Sequence, residues 1–163
     1  MDTNNFSLAQ QLATVLSEQR LTLAVAESCT GGGLSYQLTA VPGSGDWFER
    51  GFVVYSNIAK MELLEVRAQT LETYGAVSEQ TAQEMVTGTL MHSHADLALS
   101  ITGIAGPAGG MPDKPVGTVW FGLGNRRYPP RAKHVFLTGG RQQIRHDAIG
   151  IAIDWLLQDL KAS

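Results

Sequence analysis

The spacing of apolar residues predicts helices that alternate with short strands over the first two thirds of the chain. Helical spacing indicates amphipathic helices, over roughly residues 6–18, 34–41, 60–66 and 79–90. Continuous apolar runs indicate buried strands, over roughly residues 21–26, 51–55 and 97–101. Ser78, just before the last of these helices, is a good N-cap residue.

The pattern changes in the last third of the chain. Two strand-like runs, residues 116–123 and 133–137, predict a β-hairpin, and a final helix is predicted from about Arg141 to Leu160. Together with the preceding units, the hairpin predicts an α/β sandwich with a mostly parallel sheet and an antiparallel addition. In open sheets of this kind, ligands bind beyond the carboxyl ends of the strands.

The final helix has a narrow polar face. Its polar positions form one stripe, which consists of Asp147, Gly150, Asp154, Gln158 and Lys161. A helix this apolar is either central in its own domain or shared with another subunit. Because this helix lies at the end of the chain, the second option is favoured, and we expect a homo-oligomer that forms through it.

Length, charge and cysteine content narrow the class of protein. The 163 residues are enough for one full core, so we expect a single domain over residues 1–163. A net charge of −3 and the absence of any Lys/Arg run argue against nucleic-acid partners and anionic membrane surfaces. The chain also lacks an apolar stretch of membrane-spanning length and an N-terminal signal pattern. Its single cysteine suits a reducing compartment, and we expect a cytoplasmic protein.

Unusual chemistry follows each of the three predicted strands, at residues 28–33, 55–60 and 102–110. The first segment combines Ser28 with three glycines, which let backbone N–H groups approach a ligand closely. It matches neither the dinucleotide fingerprint nor the phosphate-binding P-loop. It is therefore either a binding turn or only a tight strand-to-helix turn, with Ser28 or Thr30 as the N-cap.

Lys60 lies in an unusual place for a cation. If Ser56 or Asn57 is the N-cap, Lys60 falls in the first helical turn, where the helix macrodipole is positive. This position and burial both lower the pKa of a lysine, and a neutral lysine is a general base. The alternative is a lysine that bends away into water.

Ser28 and Lys60 together indicate nucleophilic catalysis. A serine hydroxyl needs an adjacent base to attack an amide, and serine/lysine pairs are a known variant of the serine triad. Tyr55 could pass a proton between the two or orient Lys60. The pairing requires the first two strands to be neighbours. Cys29 is a rival nucleophile, although a small buried residue is the simpler interpretation.

Two further groups of residues have structural alternatives. His92, His94 and Asp96 suggest a metal site, but a spacing of two residues does not bring both imidazoles to one helix face, and we expect no metal. Arg141, at the start of the final helix, either turns back toward a phosphate as a bidentate donor or takes part in capping or a surface salt bridge.

Several blocks of sequence carry a further signal. They are Glu27-Ser28-Cys29-Thr30-Gly31-Gly32, Gly51-Phe52-Val53-Val54-Tyr55-Ser56-Asn57 with Lys60, Gly75-Ala76-Val77-Ser78, Gly103-Ile104-Ala105-Gly106-Pro107 and Lys114-Pro115-Val116-Gly117-Thr118-Val119. These blocks resemble the CinA C-terminal domain family and occur in the family's order, and the resemblance extends from about residue 8 to residue 160. The resemblance implies a three-layer α/β/α sandwich with a mixed, mostly parallel five-stranded sheet.

The resemblance also implies an activity, the hydrolysis of the carboxamide of nicotinamide mononucleotide to nicotinic acid mononucleotide and ammonia, without a metal or another cofactor. The family's serine, lysine and tyrosine fall on Ser28, Lys60 and Tyr55. The ribose and phosphate of the nucleotide would be held by two loops and one arginine, namely Thr30, Gly31, Gly32, Thr102, Gly103, Ala105, Gly106 and Arg141.

The chain departs from the family pattern at two positions. Gly140 and Ala108 stand where the family often has aspartate. The loss of two acidic side chains weakens the expected positioning of the substrate or of its supporting residues. It motivates a second hypothesis, a non-catalytic nucleotide-binding or regulatory module that kept the pocket. Both hypotheses predict nucleotide binding, but only the first predicts the release of ammonia.

Overall fold

The chain folds into five strands and six α-helices within residues 3–163, which are the residues that this computed structural model describes. The strands are β1 (Leu23–Glu27), β2 (Phe48–Val53), β3 (Leu97–Gly103), β4 (Thr118–Asn125) and β5 (Arg131–Phe136). The helices are α1 (Thr3–Gln19), α2 (Gly33–Thr39), α3 (Asn57–Leu64), α4 (Ala68–Tyr74), α5 (Glu79–Met91) and α6 (Arg141–Ala162).

The five strands form one mixed sheet in the order β2-β1-β3-β4-β5. β1 pairs in parallel with β2 on one side and with β3 on the other, whereas β4 is antiparallel to both β3 and β5. The predicted fold class is confirmed, although parallel and antiparallel pairings are equal in number. The predicted hairpin explains this small difference, because it adds one antiparallel pairing within itself and a second with β3.

Helices cover both faces of the sheet, which gives the three predicted layers. On one face, α1, α2 and α6 enclose the larger apolar core, which includes Leu12, Leu99 and Phe121. On the other face, α3 and α5 enclose a smaller core around Leu64 and Met85. The parallel strands β2, β1 and β3 all end at the same edge of the sheet, so the loops that follow them meet there.

The sequence pattern missed α4. Residues 68–74 are mostly polar, and no apolar stripe at helical spacing marks them. The start of this helix is held by Glu84 of α5, whose carboxylate accepts hydrogen bonds from the N–H of Arg67 (2.9 Å) and the hydroxyl of Thr70 (2.5 Å). Such contacts join distant parts of the chain and leave no periodic signal.

α6 is largely central in its own domain. It packs against α1, α2, β3 and β4, and Ile144 and Ile153 are buried within the same chain. Gly150, which the sequence analysis assigned to the polar stripe, is also buried against Asn5 of α1, so that assignment is wrong. Self-association through α6 stays a prediction, and it now depends on half-buried residues such as Ile151. Among residues 3–163 no helix, α6 included, combines the length and apolarity needed to cross a membrane.

Gly88 of α5 allows α3, the helix that carries Lys60, to pack closely against α5. A methyl group at residue 88 would lie 2.0 Å from the carbonyl oxygen of Leu64. We expect Gly88→Ala to lower the free energy of unfolding by about 1–3 kcal/mol, the usual range for overpacking, as measured by urea denaturation. Gly45→Ala is the control, because nothing lies within 4 Å of a methyl group there. Equal stability of the two variants would contradict this account of the packing.

Candidate active site

Ser28 follows β1 directly and lies where the three parallel strands end. Its N–H donates to the carbonyl of Ile101 in β3 (3.0 Å), which continues the pairing of the two strands by one residue. The side chain is buried. α2 begins only at Gly33 and its N-cap is Gly32, so the expectation that Ser28 or Thr30 caps this helix is wrong.

The turn after Ser28 is organised by Glu27, a fully buried carboxylate at the end of β1. One of its oxygens accepts hydrogen bonds from the Thr30 hydroxyl (2.6 Å) and the Leu34 N–H (2.8 Å). The other accepts from the N–H (2.9 Å) and hydroxyl (2.7 Å) of Ser35. Because Gly32 has no side chain to cap α2, Glu27 satisfies the orphan N–H groups of its first turn instead. The carboxylate thereby ties β1, the turn and α2 into one unit.

Lys60 is buried beside Ser28, so the alternative in which it bends into water is wrong. Of the two predicted candidates, Ser56 is the N-cap of α3, and its hydroxyl accepts a hydrogen bond from the N–H of Ala59 (3.0 Å). Lys60 therefore lies in the first turn, and its side chain is only 1% exposed. Burial lowers its pKa from the ordinary value to about 8, because a buried ammonium group loses its hydration.

The contacts of the Lys60 amine suit a neutral base. Its Nζ lies 3.0 Å from the carbonyl oxygen of Val54, 3.0 Å from that of Tyr55 and 3.1 Å from Oγ of Ser28. A neutral amine has two N–H groups and one lone pair. The two carbonyl oxygens accept hydrogen bonds from the two N–H groups. The lone pair is therefore left to accept the proton of the Ser28 hydroxyl. This arrangement can remove a proton from Ser28.

Tyr55 contributes its backbone and its side chain to different contacts. Its carbonyl holds Lys60, whereas its hydroxyl accepts a hydrogen bond from Nη2 of Arg141 (3.0 Å). The same guanidinium donates through Nη1 to the carbonyl of Gly106 (2.7 Å). Arg141 thus turns back toward the site, as one of the two predicted alternatives requires. Because Ser28 and Lys60 are in direct contact, no proton carrier is needed between them.

A cavity of about 180 Å³ opens at these residues. Its lining includes seven predicted site residues, which are Ser28, Tyr55, Lys60, Thr102, Gly103, Ala105 and Arg141. It also includes Cys29, the rival nucleophile, and three residues that the sequence analysis did not select, which are Asn57, Ala76 and Val77. Ala76 is brought there by a hydrogen bond from the Thr102 hydroxyl to its carbonyl (2.8 Å).

Four of the predicted binding residues do not line this cavity, namely Thr30, Gly31, Gly32 and Gly106. The Thr30 hydroxyl is occupied by Glu27, and the Gly106 carbonyl is occupied by Arg141. These two contacts support the site without lining the cavity. Asn57 had a local signal, because it follows the N-cap of the helix that carries Lys60, but Ala76 and Val77 reach the cavity only through contacts distant in sequence.

Cys29 is a small buried residue, as the simpler interpretation held. Burial raises the pKa of its thiol to about 11, so the thiol stays protonated near neutral pH. A protonated thiol is a poor nucleophile, because the thiolate is the reactive form. Of the two neighbouring candidates, only Ser28 has a base in contact with it.

The histidines that suggested a metal site are used elsewhere. His92 lies 2.6 Å from a carboxylate oxygen of Glu65, at the C-terminal ends of α5 and α3. The backbone N–H of His94 donates instead to the carboxylate of Glu49 (3.2 Å). In the part of the chain that the structure describes, no three His, Cys, Asp or Glu residues are grouped so that they could hold a metal ion.

The chain is similar over nearly its whole length to proteins of one family. The family model described as the CinA C-terminal domain matches residues 5–160. The nicotinamide-nucleotide amidohydrolase PncC of Escherichia coli (strain K12) is 43% identical over 157 residues, which cover 96% of this chain and 95% of that protein. A putative competence-damage inducible protein of Alkaliphilus metalliredigens is 46% identical over 96% of this chain and 38% of its own. The crystal structure of the competence/damage inducible protein CihA from Agrobacterium tumefaciens matches with a TM-score of 0.94 at 38% identity, over 99% of this chain and 98% of that one.

The four hydrogen bonds of Glu27 predict a large effect of a small substitution. Glu27→Gln replaces one acceptor oxygen with an NH₂ group that would face another donor. We expect it to lower the free energy of unfolding by about 1–3 kcal/mol, which is the typical result of leaving a buried polar group unsatisfied. Glu72→Gln changes an exposed carboxylate and should stay within about 0.5 kcal/mol of wild type. Chemical denaturation of both variants measures the difference, and equal values would rule out this role.

Proposed function

This chain belongs to the CinA C-terminal domain family, and we propose that it is a nicotinamide-nucleotide amidohydrolase. Its reaction would be the hydrolysis of the carboxamide of nicotinamide mononucleotide to nicotinic acid mononucleotide and ammonia. The observation that carries the proposal is the 3.1 Å contact between Nζ of the buried Lys60 and Oγ of Ser28. Similarity to PncC supports the choice of substrate.

In the proposed mechanism, Ser28 is the nucleophile and Lys60 the general base. Neutral Lys60 takes the hydroxyl proton as the Ser28 oxygen attacks the carboxamide carbon. The tetrahedral intermediate collapses as Lys60 gives the proton it took from Ser28 to the nitrogen, directly or through the Tyr55 hydroxyl, and ammonia leaves. Water, activated in the same way, then releases the acid from the acyl-serine and regenerates Ser28. No metal or other cofactor takes part.

Backbone N–H groups would stabilise the negative charge that develops on the carboxamide oxygen. The N–H of Ala105 is a candidate, because Ala105 lines the cavity and this N–H has no acceptor among residues 3–163. A well-placed donor of this kind contributes about 2.7–4 kcal/mol to catalysis. Thr102 and Gly103 would flank the ribose, and the turn formed by Thr30, Gly31 and Gly32, together with Gly106, would support that wall.

Arg141 would bind the phosphate of the nucleotide. Its guanidinium is held by the Gly106 carbonyl and the Tyr55 hydroxyl, and the residue is exposed at the rim of the cavity. A guanidinium is suited to a phosphate because it offers several N–H donors in a fixed plane. Tyr55, in contact with this guanidinium and half exposed, would lie between the phosphate end and the reacting end of the substrate.

The rival hypothesis is a non-catalytic module that binds nucleotides. It rests on the departures at Gly140 and Ala108, neither of which touches Ser28 or Lys60 in the structure. Gly140 is the N-cap of α6 and provides no side-chain cap, and Ala108 lies exposed in the loop after β3. The contact between base and nucleophile favours the enzyme.

The proposal extends to the organisation of the protein. Residues 1–163 would form a single domain, since one sheet joins all five strands and the family model covers residues 5–160. The single cysteine suits the cytoplasm.

Self-association through α6 would cover half-buried apolar residues such as Ile149, Ile151 and Trp155. The only partner required for the reaction is the nucleotide itself.

The first test is ammonia release from nicotinamide mononucleotide by metal-free protein, with two neighbouring variants. We expect Ser28→Ala to abolish turnover while the nucleotide still binds, because only the nucleophile is lost. Cys29→Ala is the matched control and should keep most of the activity, because its thiol is protonated. An active serine variant with an inactive cysteine variant would move the chemistry to the thiol. Nucleotide binding by an inactive wild-type protein would favour the rival hypothesis.

A second prediction concerns the protonation of Lys60. The pKa of about 8 means that the neutral base is a minor form at pH 7 and the major form above pH 8. The value of kcat/KM should therefore rise with pH, with its midpoint near pH 8 and a plateau about one pH unit higher, since this ratio reports groups of the free enzyme. Lys60→Arg should be nearly inactive at every pH, because arginine does not give up its proton. Near wild-type turnover of this variant would exclude Lys60 as the base.

A further inference from the structure

Arg145, one turn after Arg141 on α6, contacts the turn that carries Ser28. Its Nε donates to the carbonyl of Cys29 (3.0 Å), and its Nη2 donates to the carbonyl of Thr30 (3.3 Å). These carbonyls belong to the two residues that follow Ser28. The side chain does not line the cavity with Ser28, so it touches the turn from the opposite side.

The turn leaves room for this guanidinium because residue 31 is glycine. Gly31 has a φ of +58°, and a methyl group there would lie 3.3 Å from Nη2 of Arg145. A peptide group is planar, so holding a carbonyl oxygen also fixes the orientation of the following N–H. The two held carbonyls therefore fix the peptide planes between Cys29 and Thr30 and between Thr30 and Gly31. Glu27 holds the same turn through the Thr30 hydroxyl, from within the core.

We propose that Arg145 is a positioning residue. It fixes the backbone after Ser28, so that Oγ of Ser28 stays within hydrogen-bonding distance of Nζ of Lys60. This inference rests on the proposed function and assigns a role to a residue that does not contact the substrate. The two arginines of α6 would then have separate tasks. Arg141 would bind the phosphate and affect KM, whereas Arg145 would hold the nucleophile and affect kcat.

The experiment compares Arg145→Ala and Arg145→Lys with Arg131→Ala. Arg131 is the matched control, because its guanidinium also contacts α6, through Asp159 (2.7 Å), but far from the cavity. We expect Arg145→Ala to lower kcat about 10–100-fold with KM within about twofold, since small misplacements of reacting groups have effects of this size. Arg145→Lys should lower kcat less, because lysine keeps the charge but not the planar fork. Added methylguanidine should restore part of the kcat of Arg145→Ala.

Labelling of Ser28 by a fluorophosphonate gives a second readout that does not need the nucleotide. We expect both Arg145 variants to label more slowly than wild type and Arg131→Ala to label at the wild-type rate. Wild-type kcat and labelling in the Arg145 variants would overturn the inference, and so would a loss of activity in Arg145→Ala that methylguanidine does not restore. If Arg145→Ala does not fold, the kcat and the labelling rate of Arg145→Lys decide, and wild-type values of both would overturn the inference.

The two proposals can fail separately. A wild-type protein that releases no ammonia but labels at Ser28 would refute the proposed substrate, and the labelling rates would still test Arg145. An active wild type with unaffected Arg145 variants would refute only the positioning role. A wild type that shows neither reaction would overturn both proposals, because there would be no nucleophile to position.

Discussion

The site depends on keeping one amine out of water. Lys60 loses its hydration on burial, which disfavours the ammonium form, and the carbonyls of Val54 and Tyr55 satisfy the N–H groups that remain. Both carbonyls belong to the connection between β2 and α3, so this part of the arrangement is local in sequence. The contact with Ser28 is not local, since it spans 32 residues and exists only because β1 and β2 are parallel neighbours. The sheet order is therefore a condition for pairing the nucleophile with its base.

A second buried ionisable group, Glu27, directly precedes Ser28 in the sequence, and it is important that its carboxylate does not pair with Lys60. If Glu27 bound Lys60, the ion pair would stabilise the ammonium form and the amine would no longer be a base near neutral pH. Glu27 instead accepts four hydrogen bonds from backbone N–H groups and hydroxyls of the turn and α2, so its oxygens are satisfied without a cation. The same hydrogen bonds hold the turn in place, so one carboxylate supports the nucleophile without forming an ion pair that would stabilise the ammonium form of Lys60.

Local pattern was enough to predict what lies within one strand-to-helix unit. Lys60 was predicted because a cation in the first turn of a helix breaks a local rule, and Ser28 because it lies between a strand and a glycine run. The N-cap Ser78 was predicted from residue type and position, and Ser56 was one of two candidates for the N-cap of α3. Features made by contacts between distant units were missed. α4 depends on Glu84, and Ala76 reaches the cavity through the Thr102 hydroxyl. Thr30 was predicted to face the substrate, but its hydroxyl points to Glu27, and no sequence pattern distinguishes these two uses of a buried threonine.

α6 shows that a largely apolar helix can bury most of its apolar residues within its own chain. Its buried residues anchor it against α1 and the sheet, and its first turns then extend over the site. From there Arg141 reaches the loop after β3, and Arg145 reaches the turn after β1. A guanidinium at the end of a long side chain is only useful if its helix is fixed, because a helix that shifts by a turn carries both arginines away from their carbonyls. The apolar face of the last helix therefore supports the turn after β1, and the site is complete only when α6 has packed against α1 and the sheet.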